Sequence, residues 1–464
     1  MAVNRRGILA AGFGLGGAGL SGMASARAGG PEASPPAARL TPDPARAMTS
    51  TDAGLAADTA IDQSARLQAA FDAAAERRVP LLLAPGRYMA GGLMLRPGLT
   101  VSGNGGAATL ALARPGAPLL AGERADDIAL HDIALDGGML AIGGEANALV
   151  ALDRCSNISF RRLDLTSSGG RGLALKACGG RLERSRFAVI AEAALFAIDS
   201  TGLDITDNAI SDCGNNGIQV WRSSEGEDGS TITHNRIARI DARAGGHGEH
   251  GNGINVFRAG SVLVDGNRIT DCAYSAVRGN TASNIQILSN SCQRIGEVAL
   301  YAEFGFEGAV IAGNIVDDAA AGISVTNFDV GGRLAVVQGN LVRNLKRREH
   351  EQTDKRGEGI SVEADASVTG NTIENAPSAG IVIGWGRHMR DVIATGNLIR
   401  DARVGIAVSS DAAAGACLIT ANMISRTREG AIRAMDLGRL HGPDLAREAV
   451  ATSGRVIIEN NMAV

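Results

Sequence analysis

Four side chains in the middle of the chain could take part in acid–base chemistry. Arg278, Tyr301 and Glu303 lie close together in the sequence, and Glu363 follows them. A pair of carboxyl groups can hydrolyse a glycosidic bond, and an arginine or a tyrosine can act as the base in β-elimination from a uronic acid. These residue types favour cleavage of a polysaccharide, and their spacing leaves hydrolysis and elimination both open.

A sequence repeat must position these side chains. An asparagine follows a short apolar run again and again in the C-terminal half, with a mean period of about 27 residues. A fixed period of this length predicts a stacked solenoid, in which each unit buries its apolar side chains against its neighbours. The repeated asparagines are Asn208, Asn235, Asn267, Asn290, Asn314, Asn340, Asn371, Asn397 and Asn422.

A second motif keeps phase with the asparagines and reads glycine, apolar, any residue, apolar, as in Gly253-Ile254-Asn255-Val256. Short runs rich in Ile and Val predict strands and not helices. The repeat therefore predicts an all-β fold, a right-handed parallel β-helix, with the asparagines stacked as a structural ladder inside a bend.

Alternation along the second motif predicts which side chains face outward. The two apolar residues point inward, so the residue between them and the residue two places later point out. In the middle coils these positions are aromatic, amide, basic and acidic, and such faces suit sugar binding. The predicted outward pairs are Gln219 and Trp221, Asn255 and Phe257, Arg278 and Asn280, Tyr301 and Glu303, Ser324 and Thr326, and Ser361 and Glu363; the bland later pairs are Val382 and Gly384, and Ala407 and Ser409.

Two insertions, residues 244–252 and 346–358, precede the strands of Asn255 and Ser361, and we expect them to wall a cleft. The alternative is that these charged loops are solvated surface. The predicted catalytic residues are Glu303, Glu363, Arg278, Tyr301 and His250, and the predicted substrate-binding residues are Trp221, Asn255, Phe257, Asn280, His247, His350, Arg387 and His388.

The predicted spacing of Glu303 and Glu363 is two coils, or roughly 10 Å, near the upper end of the ~6.5–9.5 Å carboxyl separation of inverting glycosidases. Gly246-His247-Gly248 is similar to the histidine motif of polygalacturonases. The Asn-Thr-Asp and Asp-Asp motifs that should precede it are missing, which excludes that specific identity.

The N-terminus predicts export. Arg5-Arg6 precedes an apolar run that ends in the small residues Ala24-Ser25-Ala26, typical of a twin-arginine signal peptide over residues 1–28. Residues 29–50 read as a disordered linker and 51–464 as one β-helix domain, with a helical cap at about 58–78, begun by Asp62 or Ser64, and ladder repeats over about 200–464. We expect the twin-arginine machinery as a partner, a periplasmic or secreted protein, and no stable membrane insertion after cleavage. An uncleaved membrane anchor is the alternative.

Composition limits the remaining possibilities. The net charge of −4 argues against a nucleic-acid partner. Among the six cysteines, Cys213 and Cys272 occupy inward apolar positions two coils apart, too far to form a disulfide. The sequence contains no Cys-x-x-Cys pattern, so a zinc site is not expected. No cofactor is expected either. The acidic segment Glu225-Gly226-Glu227-Asp228 could bind Ca²⁺, although a solvated loop is the favoured interpretation.

A family resemblance accompanies these patterns. Leu67-Gln68-Ala69-Ala70, then an apolar strand, Pro85-Gly86-Arg87-Tyr88 and Gly103-Asn104-Gly105, resemble the opening of β-helices of the pectate-lyase superfamily. Together with the arginine pair and the asparagines, nearly the whole chain resembles the twin-arginine-translocated repeat proteins of proteobacteria. The resemblance implies a β-helix, export and polysaccharides as the ligand class. A non-catalytic carbohydrate-binding or cell-envelope β-helix is the alternative function.

Overall fold

The computed structural model describes residues 47–246, 248–347, 357–448 and 455–464. The predicted signal peptide, most of the predicted linker, His247 and His350 lie outside these residues. The described part contains stacked strands, an α-helix at Ser64–Arg77 and a 3₁₀-helix at Phe328–Val330.

The first face of the stack is a parallel sheet in which each coil contributes one strand. Its described strands, in spatial order, are Met48–Thr49, Leu81–Leu82, Thr100–Ser102, Ala129–His131, Ile158–Arg161, Gly180–Glu183, Asp204–Thr206, Thr231–Thr233, Leu263–Asp265, Ile285–Leu288, Glu307–Ala312, Arg333–Gln338, Ala364–Thr369, Arg390–Thr395, Cys417–Thr420 and Val456–Glu459.

The second and third faces join into one sheet, because four long strands run through the corner between them. These four are Ser291–Glu303, Ile315–Val325, Thr372–Ile383 and Leu398–Ser409. The second face also contains Gly86–Ala90, Ala108–Leu112, Ile133–Asp136, Asp164–Ser168, Arg186–Ile190, Ala209–Cys213, Arg236–Ile240, Arg268–Cys272, Leu341–Arg343, Met423–Ser425 and Met462–Ala463. The third face also contains Leu93–Met94, Leu120–Glu123, Ala148–Asp153, Arg171–Lys176, Ala193–Ile198, Asn216–Glu227, Asn252–Gly260, Val277–Asn280, Glu358–Val362, Ile432–Asp436 and Arg439–Asp444.

The predicted parallel β-helix is confirmed by these pairings, in which each strand hydrogen-bonds to the matching strand of the next coil. Inward aliphatic side chains from all three faces form one continuous buried core. The glycine of the second motif is needed where coils approach closely: a Cβ on Gly322 would lie 2.4 Å from the carbonyl oxygen of Gly359. Close stacking of coils therefore explains the glycines of the repeat.

The asparagine ladder is confirmed and continues to Asn461 at its C-terminal end. The side-chain Oδ1 of Asn314 accepts the backbone N–H of Asn290 at 2.8 Å and its side-chain amide at 3.1 Å. The same pair of bonds joins every successive pair of ladder asparagines. Each buried asparagine thus satisfies polar groups of the neighbouring coil, which is a structural role.

The helix Ser64–Arg77 buries Leu67, Ala70, Phe71 and Ala74 against the first coils. The predicted cap residues need a correction. Gln63 occupies the cap position without a side-chain cap hydrogen bond, and the carboxylate of the preceding residue, Asp62, accepts the Ser64 backbone N–H at 2.9 Å.

The predicted boundary between linker and domain is also too late. Met48–Thr49 already pairs with Leu81–Leu82 as the first strand of the sheet. The ordered β-helix therefore begins before residue 51. No helix among the described residues is long and apolar enough to cross a membrane.

The outer side of the third face is covered in its last coils. The outward residues Val382 and Ala407 belong to a small second cluster of buried apolar side chains, together with Ala379, Val404 and Met435. Trp385 and Leu440 pack against this cluster, and Leu440 lies on the antiparallel strand Arg439–Asp444. The small, apolar outward residues of these coils therefore form the base of an external apolar cluster and not an open surface.

Candidate functional site

The predicted outward columns have the predicted register. Asn255 pairs with Arg278, Arg278 with Tyr301, and Tyr301 with Ser324. Ser324 then pairs with Ser361. In the second column Phe257 pairs with Asn280, and Asn280 with Glu303. The parallel stack thus brings side chains from five consecutive coils into two adjacent columns on the third face.

At the centre of these columns lies a buried ion-pair cluster formed by Arg278, Glu297 and Glu303. The guanidinium of Arg278 donates from Nε to one oxygen of Glu303 at 2.6 Å and from Nη2 to the other at 3.0 Å. Its Nη1 donates to Glu297 at 3.1 Å. The side chains of Arg278 and Glu303 are only 8% and 3% exposed. This fork-shaped pairing fixes both charged groups and satisfies them inside the protein.

The electrostatics of the ion-pair cluster disfavour acid–base roles for Tyr301 and Arg278. Burial raises the pKa of Tyr301, and the charge of Glu303 raises it further. Although burial opposes the charged form of Arg278, the carboxylates of Glu303 and Glu297 raise its pKa. Both groups therefore stay protonated at neutral pH, and the predicted elimination base is not provided by either in this environment.

Glu303 is equally engaged. Besides both bonds from Arg278, it accepts a bond from the side-chain amide of Asn280 at 3.1 Å. The guanidinium carbon of Arg278 also lies 5.0 Å from the centre of the Tyr301 ring. The structure thus brings Arg278, Asn280, Tyr301 and Glu303 together as predicted, in a closed network rather than as exposed reactive groups.

The first insertion reaches the ion-pair cluster, as expected. A Cβ on Gly248 would lie 1.8 Å from the Nη1 of Arg278, so the backbone of Gly248 packs directly on the guanidinium. The carbonyl of Glu249 accepts the side-chain amide of Asn216 at 3.1 Å and that of Asn255 at 3.5 Å. The insertion is therefore attached to the third face and forms one wall beside it.

His250 lies in this insertion, and its Nδ1 is enclosed without a hydrogen-bond partner among the described residues. The second insertion is described only at its ends. There the side chain of Arg347 donates to the carbonyl of Pro377 at 3.2 Å.

An aromatic strip made of Phe196, Trp221 and Phe257 lies N-terminal to the ion-pair cluster. The rings of Phe196 and Trp221 meet edge to face with centroids 5.5 Å apart, and those of Trp221 and Phe257 do so at 5.6 Å. Arg171 and Arg258 stack on the two ends, with the Cζ of Arg171 4.3 Å from the centre of the Phe196 ring and that of Arg258 4.7 Å from the centre of the Phe257 ring. All three rings are half-buried and present part of their surface to solvent.

Asn255 supports this strip, because its side-chain oxygen accepts the indole N–H of Trp221 at 3.1 Å. The predicted grouping of Trp221, Asn255 and Phe257 agrees with the structure. Phe196 was missed, since the coil that contains it lacks the second sequence motif.

A second polar group lies on the other side of the ion-pair cluster. The carboxylate of Glu363 accepts the backbone N–H of Phe328 at 2.8 Å. The ring of Phe328 lies 6.4 Å from that of His388, edge to face, and the Cζ of Arg390 lies 4.5 Å from the centre of the Phe328 ring. Glu363 and His388 are thus brought to one place through Phe328. Arg387 lies exposed in the turn between Trp385 and His388.

Small hydroxyl residues separate these two groups. Ser324 and Ser361 follow Tyr301 in the same column, one per coil. Ser324 is buried and Ser361 is half-buried. The carboxylate of Glu358 accepts the hydroxyl of Ser361 at 2.6 Å.

Glu297 and Glu358 were not among the predicted site residues. Glu297 lies within the strand Ser291–Glu303 and Glu358 begins the strand Glu358–Val362, and both come before the outward positions of Tyr301 and Ser361. The sequence signal that could have found them is that each directly follows a glycine.

The acidic segment with the alternative calcium role is partly buried. Glu225 and Glu227 are exposed, but Asp228 is buried, and burial raises its pKa. Within the described ranges, no group of three or more His, Cys, Asp or Glu side chains could hold a metal ion.

Comparison with known proteins agrees with the fold. The family described as "Right handed beta helix region" matches residues 171–330 and, in an overlapping match, 226–399. The fold is therefore a right-handed parallel β-helix, as the repeat predicted. No curated protein sequence matches the chain.

Solved structures of the same architecture are distant in sequence. The N-terminal fragment of bacteriophage phi29 gene product 12 is 15% identical with a TM-score of 0.57, covering 90% of this chain and 70% of that chain. The catalytic unit of a thermostable GH87 α-1,3-glucanase from Streptomyces thermodiastaticus strain HF3-3 is 14% identical with a TM-score of 0.49, covering 91% and 69%. A PL6 alginate lyase in complex with a trisaccharide is 13% identical with a TM-score of 0.47, covering 89% and 96%. At these identities the likeness concerns the fold alone.

Proposed function

We propose that this protein is an exported β-helix that binds a polysaccharide along the third face, from the aromatic strip to the group around Glu363. The observation that carries the proposal is the aromatic strip itself. Three half-buried rings on adjacent coils, with an arginine stacked at each end, present apolar faces and cations on one continuous surface. Sugar rings pack on such faces, and planar polar groups beside them bond to hydroxyl groups.

The geometry of the rest of the face fits an extended ligand. Successive coils repeat at a spacing of about 4.8 Å, so a chain lying along the stack meets the same kind of position once per coil. Beyond the rings it would meet Tyr301 and then the hydroxyl groups of Ser324 and Ser361. The first insertion borders this path where it packs on Arg278.

The ion-pair cluster supports binding rather than chemistry. Arg278 and Glu303 are buried and paired with each other, so neither is free to neutralise or protonate a sugar. Their role in this proposal is to hold the central coils rigid beneath the ligand. A preorganised surface loses less conformational entropy on binding.

Cleavage is the second candidate function. It is favoured by two carboxylates in the coil of Ser361: Glu358 accepts the hydroxyl of Ser361, and Glu363 accepts the backbone N–H of Phe328. Under this candidate one of the two acts as acid and the other as base, and the route, hydrolysis or elimination, is distinguished by the product. The twin-arginine export route and a periplasmic or secreted location belong to the same proposal and rest on the N-terminal sequence.

The test is a glycan screen on the purified mature protein. Binding is measured on an array, and turnover is measured as released reducing ends and as absorbance of unsaturated uronates. The proposal expects saturable binding of at least one polysaccharide. New reducing ends that disappear in Glu363→Gln, while binding persists, establish cleavage. Absence of binding and of turnover across a broad panel contradicts the proposal.

The export part is tested separately. The full-length chain is expressed with its own N-terminus and with Arg5→Lys together with Arg6→Lys. The proposal expects the native chain outside the cytoplasm and the variant retained there. Equal distribution of the two forms contradicts export by this route without affecting the binding proposal.

A further inference from the structure

Two cysteines lie on adjacent coils at one corner of the β-helix. Asp153 pairs with Lys176, which places Cys155 in register with Cys178. Residues in register on neighbouring strands are about 4.8 Å apart, within the ~4.4–6.8 Å range of Cα separations in disulfides. The backbone N–H of Cys155 donates to the Sγ of Cys178 at 3.4 Å. We propose that Cys155 and Cys178 form a disulfide that joins these two coils covalently when the protein meets a disulfide-bearing oxidant.

The remaining cysteines lack such a neighbour. Cys213 and Cys272 are separated by the coil that contains Ile240, as the sequence predicted. Cys292 is in register with Ile269, and Cys417 lies between Val392 and Val456. All six cysteines are buried free thiols in the structure, and the register distinguishes one pair among them.

The chemistry of the pair is also distinct. The hydrogen bond with the Cys178 thiol lowers the pKa of Cys155 to about 7. Burial raises the pKa of Cys213, Cys292 and Cys417 to about 12. The thiolate is the nucleophile in disulfide exchange, so near neutral pH Cys155 reacts before the other three.

Both cysteines are buried, so the reaction requires a local opening of the corner. Cys155 is 1% exposed and Cys178 3% exposed. Cys155 is buried, but both of its neighbours in the chain, Arg154 and Ser156, are exposed. The proposal therefore includes a local movement of this corner, with the rest of the β-helix folded, that presents the sulfur to a small oxidant.

The reaction is an ordinary thiol–disulfide exchange. The thiolate of Cys155 attacks one sulfur of the oxidant and releases the other as a thiolate. That thiolate takes the proton of Cys178, whose sulfur then attacks the Sγ of Cys155 and releases the second thiolate. Two protein thiols are oxidised to one disulfide, and the oxidant is reduced to two thiols.

The next coil has a serine at the position equivalent to the two cysteines, which suggests serine as a conservative substitution for both. Ser200 is in register with Cys178, because Lys176 pairs with Ile198. The hydroxyl of Ser200 accepts the backbone N–H of Cys178 at 3.1 Å, as the Sγ of Cys178 does for Cys155. Serine therefore fits this corner, and we expect Cys155→Ser and Cys178→Ser to fold.

The experiment counts thiols before and after oxidation. The purified protein is equilibrated with oxidised glutathione, both in the native state and during refolding, then denatured, alkylated and mapped by mass spectrometry. We expect four of the six cysteines to be alkylated and one crosslinked pair of peptides containing Cys155 and Cys178. A reductant restores all six thiols and lowers the melting temperature by a few degrees.

The variants make the result specific. Cys178→Ser abolishes the crosslink, whereas the matched control Cys213→Ser retains it. The difference in melting temperature between oxidised and reduced protein disappears in the double variant Cys155→Ser, Cys178→Ser. Six free thiols under both oxidation conditions, a crosslink between other cysteines, or glutathione attached to Cys155 without a crosslink would each overturn the proposal.

Discussion

Two polar columns run along the same stack of coils, and they differ in composition and in exposure. The ladder from Asn208 to Asn461 repeats one residue type, buries it as far as Asn422 and bonds each member to the next. The outward column on the third face changes residue type from coil to coil and remains partly exposed at Trp221, Phe257 and Tyr301. Identical buried side chains satisfy the backbone, whereas varied exposed side chains present a chemical pattern to a ligand.

The ion-pair cluster shows that exposure, and not variety, separates the two roles. Arg278 and Glu303 belong to the outward columns, yet both are buried and paired with each other, as the ladder asparagines are. We therefore assign them a structural role within the proposed binding face, where the proposal gives ligand contact to the aromatic strip.

The largest effect is expected from breaking the ion-pair cluster. Glu303→Ala leaves the buried guanidinium of Arg278 with Glu297 as its only charged partner in the cluster. Loss of one partner of a buried ion pair costs about 3–5 kcal/mol. Urea denaturation measures the free energy of unfolding. The matched control is Glu225→Ala, since Glu225 is exposed. Equal, small losses in both variants would remove the structural role.

A somewhat smaller effect is expected from interrupting the ladder. Asn314→Ala leaves the backbone N–H and the side-chain amide of Asn290 without their acceptor. Unsatisfied buried donors cost about 1–3 kcal/mol each before relaxation, so a loss of roughly 2–4 kcal/mol is expected. Asn375→Ala removes an exposed hydrogen bond to the side chain of Asn344 and should lower the free energy of unfolding by less than about 1 kcal/mol. Similar losses in both would contradict the assignment of stability to the buried ladder.

Removal of the cover over the last coils should have a moderate effect. Trp385 is half-buried against the apolar cluster that contains Val382 and Ala407. Trp385→Ala is expected to cost about 2 kcal/mol, less than for a fully buried ring, and to expose an apolar patch. Binding of a hydrophobic dye and the unfolding midpoint check this. An unchanged midpoint would show that the cover contributes no stability.

The smallest change in the free energy of unfolding is expected from the exposed carboxylates that pair with arginines at the corners of the coils. The hydrogen bond from Arg239 lowers the pKa of Asp212 to about 2. The folded pKa thus lies below the unfolded one, so this stabilisation is present above about pH 4 and is lost as the pH falls towards 2. Both side chains are substantially exposed, so the contribution is only a few tenths of a kcal/mol. Asp212→Asn should flatten the acid dependence slightly, and a steeper dependence would contradict this sign.

Much of this arrangement was predictable from the sequence because the repeat sets the register. The ladder and the column order from Gln219 to Ser361 follow from counting residues within each coil. Side-chain pairing within the column did not follow. Glu303 is two residues from Tyr301, and the sequence alone does not show that its carboxylate turns to the neighbouring coil to meet Arg278. The juxtaposition of Cys155 and Cys178 was missed for a related reason, since no ladder asparagine marks the register of those coils.

The central claim is that the aromatic strip binds the ligand, and the most direct test compares two exposed apolar positions on different faces. Trp221→Ala removes a ring of the strip, and Ile393→Ala shortens an exposed side chain on the first face. Affinity for the polysaccharide identified in the screen is measured by titration calorimetry for both variants and the native protein. We expect a loss of roughly tenfold or more for Trp221→Ala and unchanged affinity for Ile393→Ala. Equal affinity of all three proteins, or a loss confined to Ile393→Ala, would contradict the account.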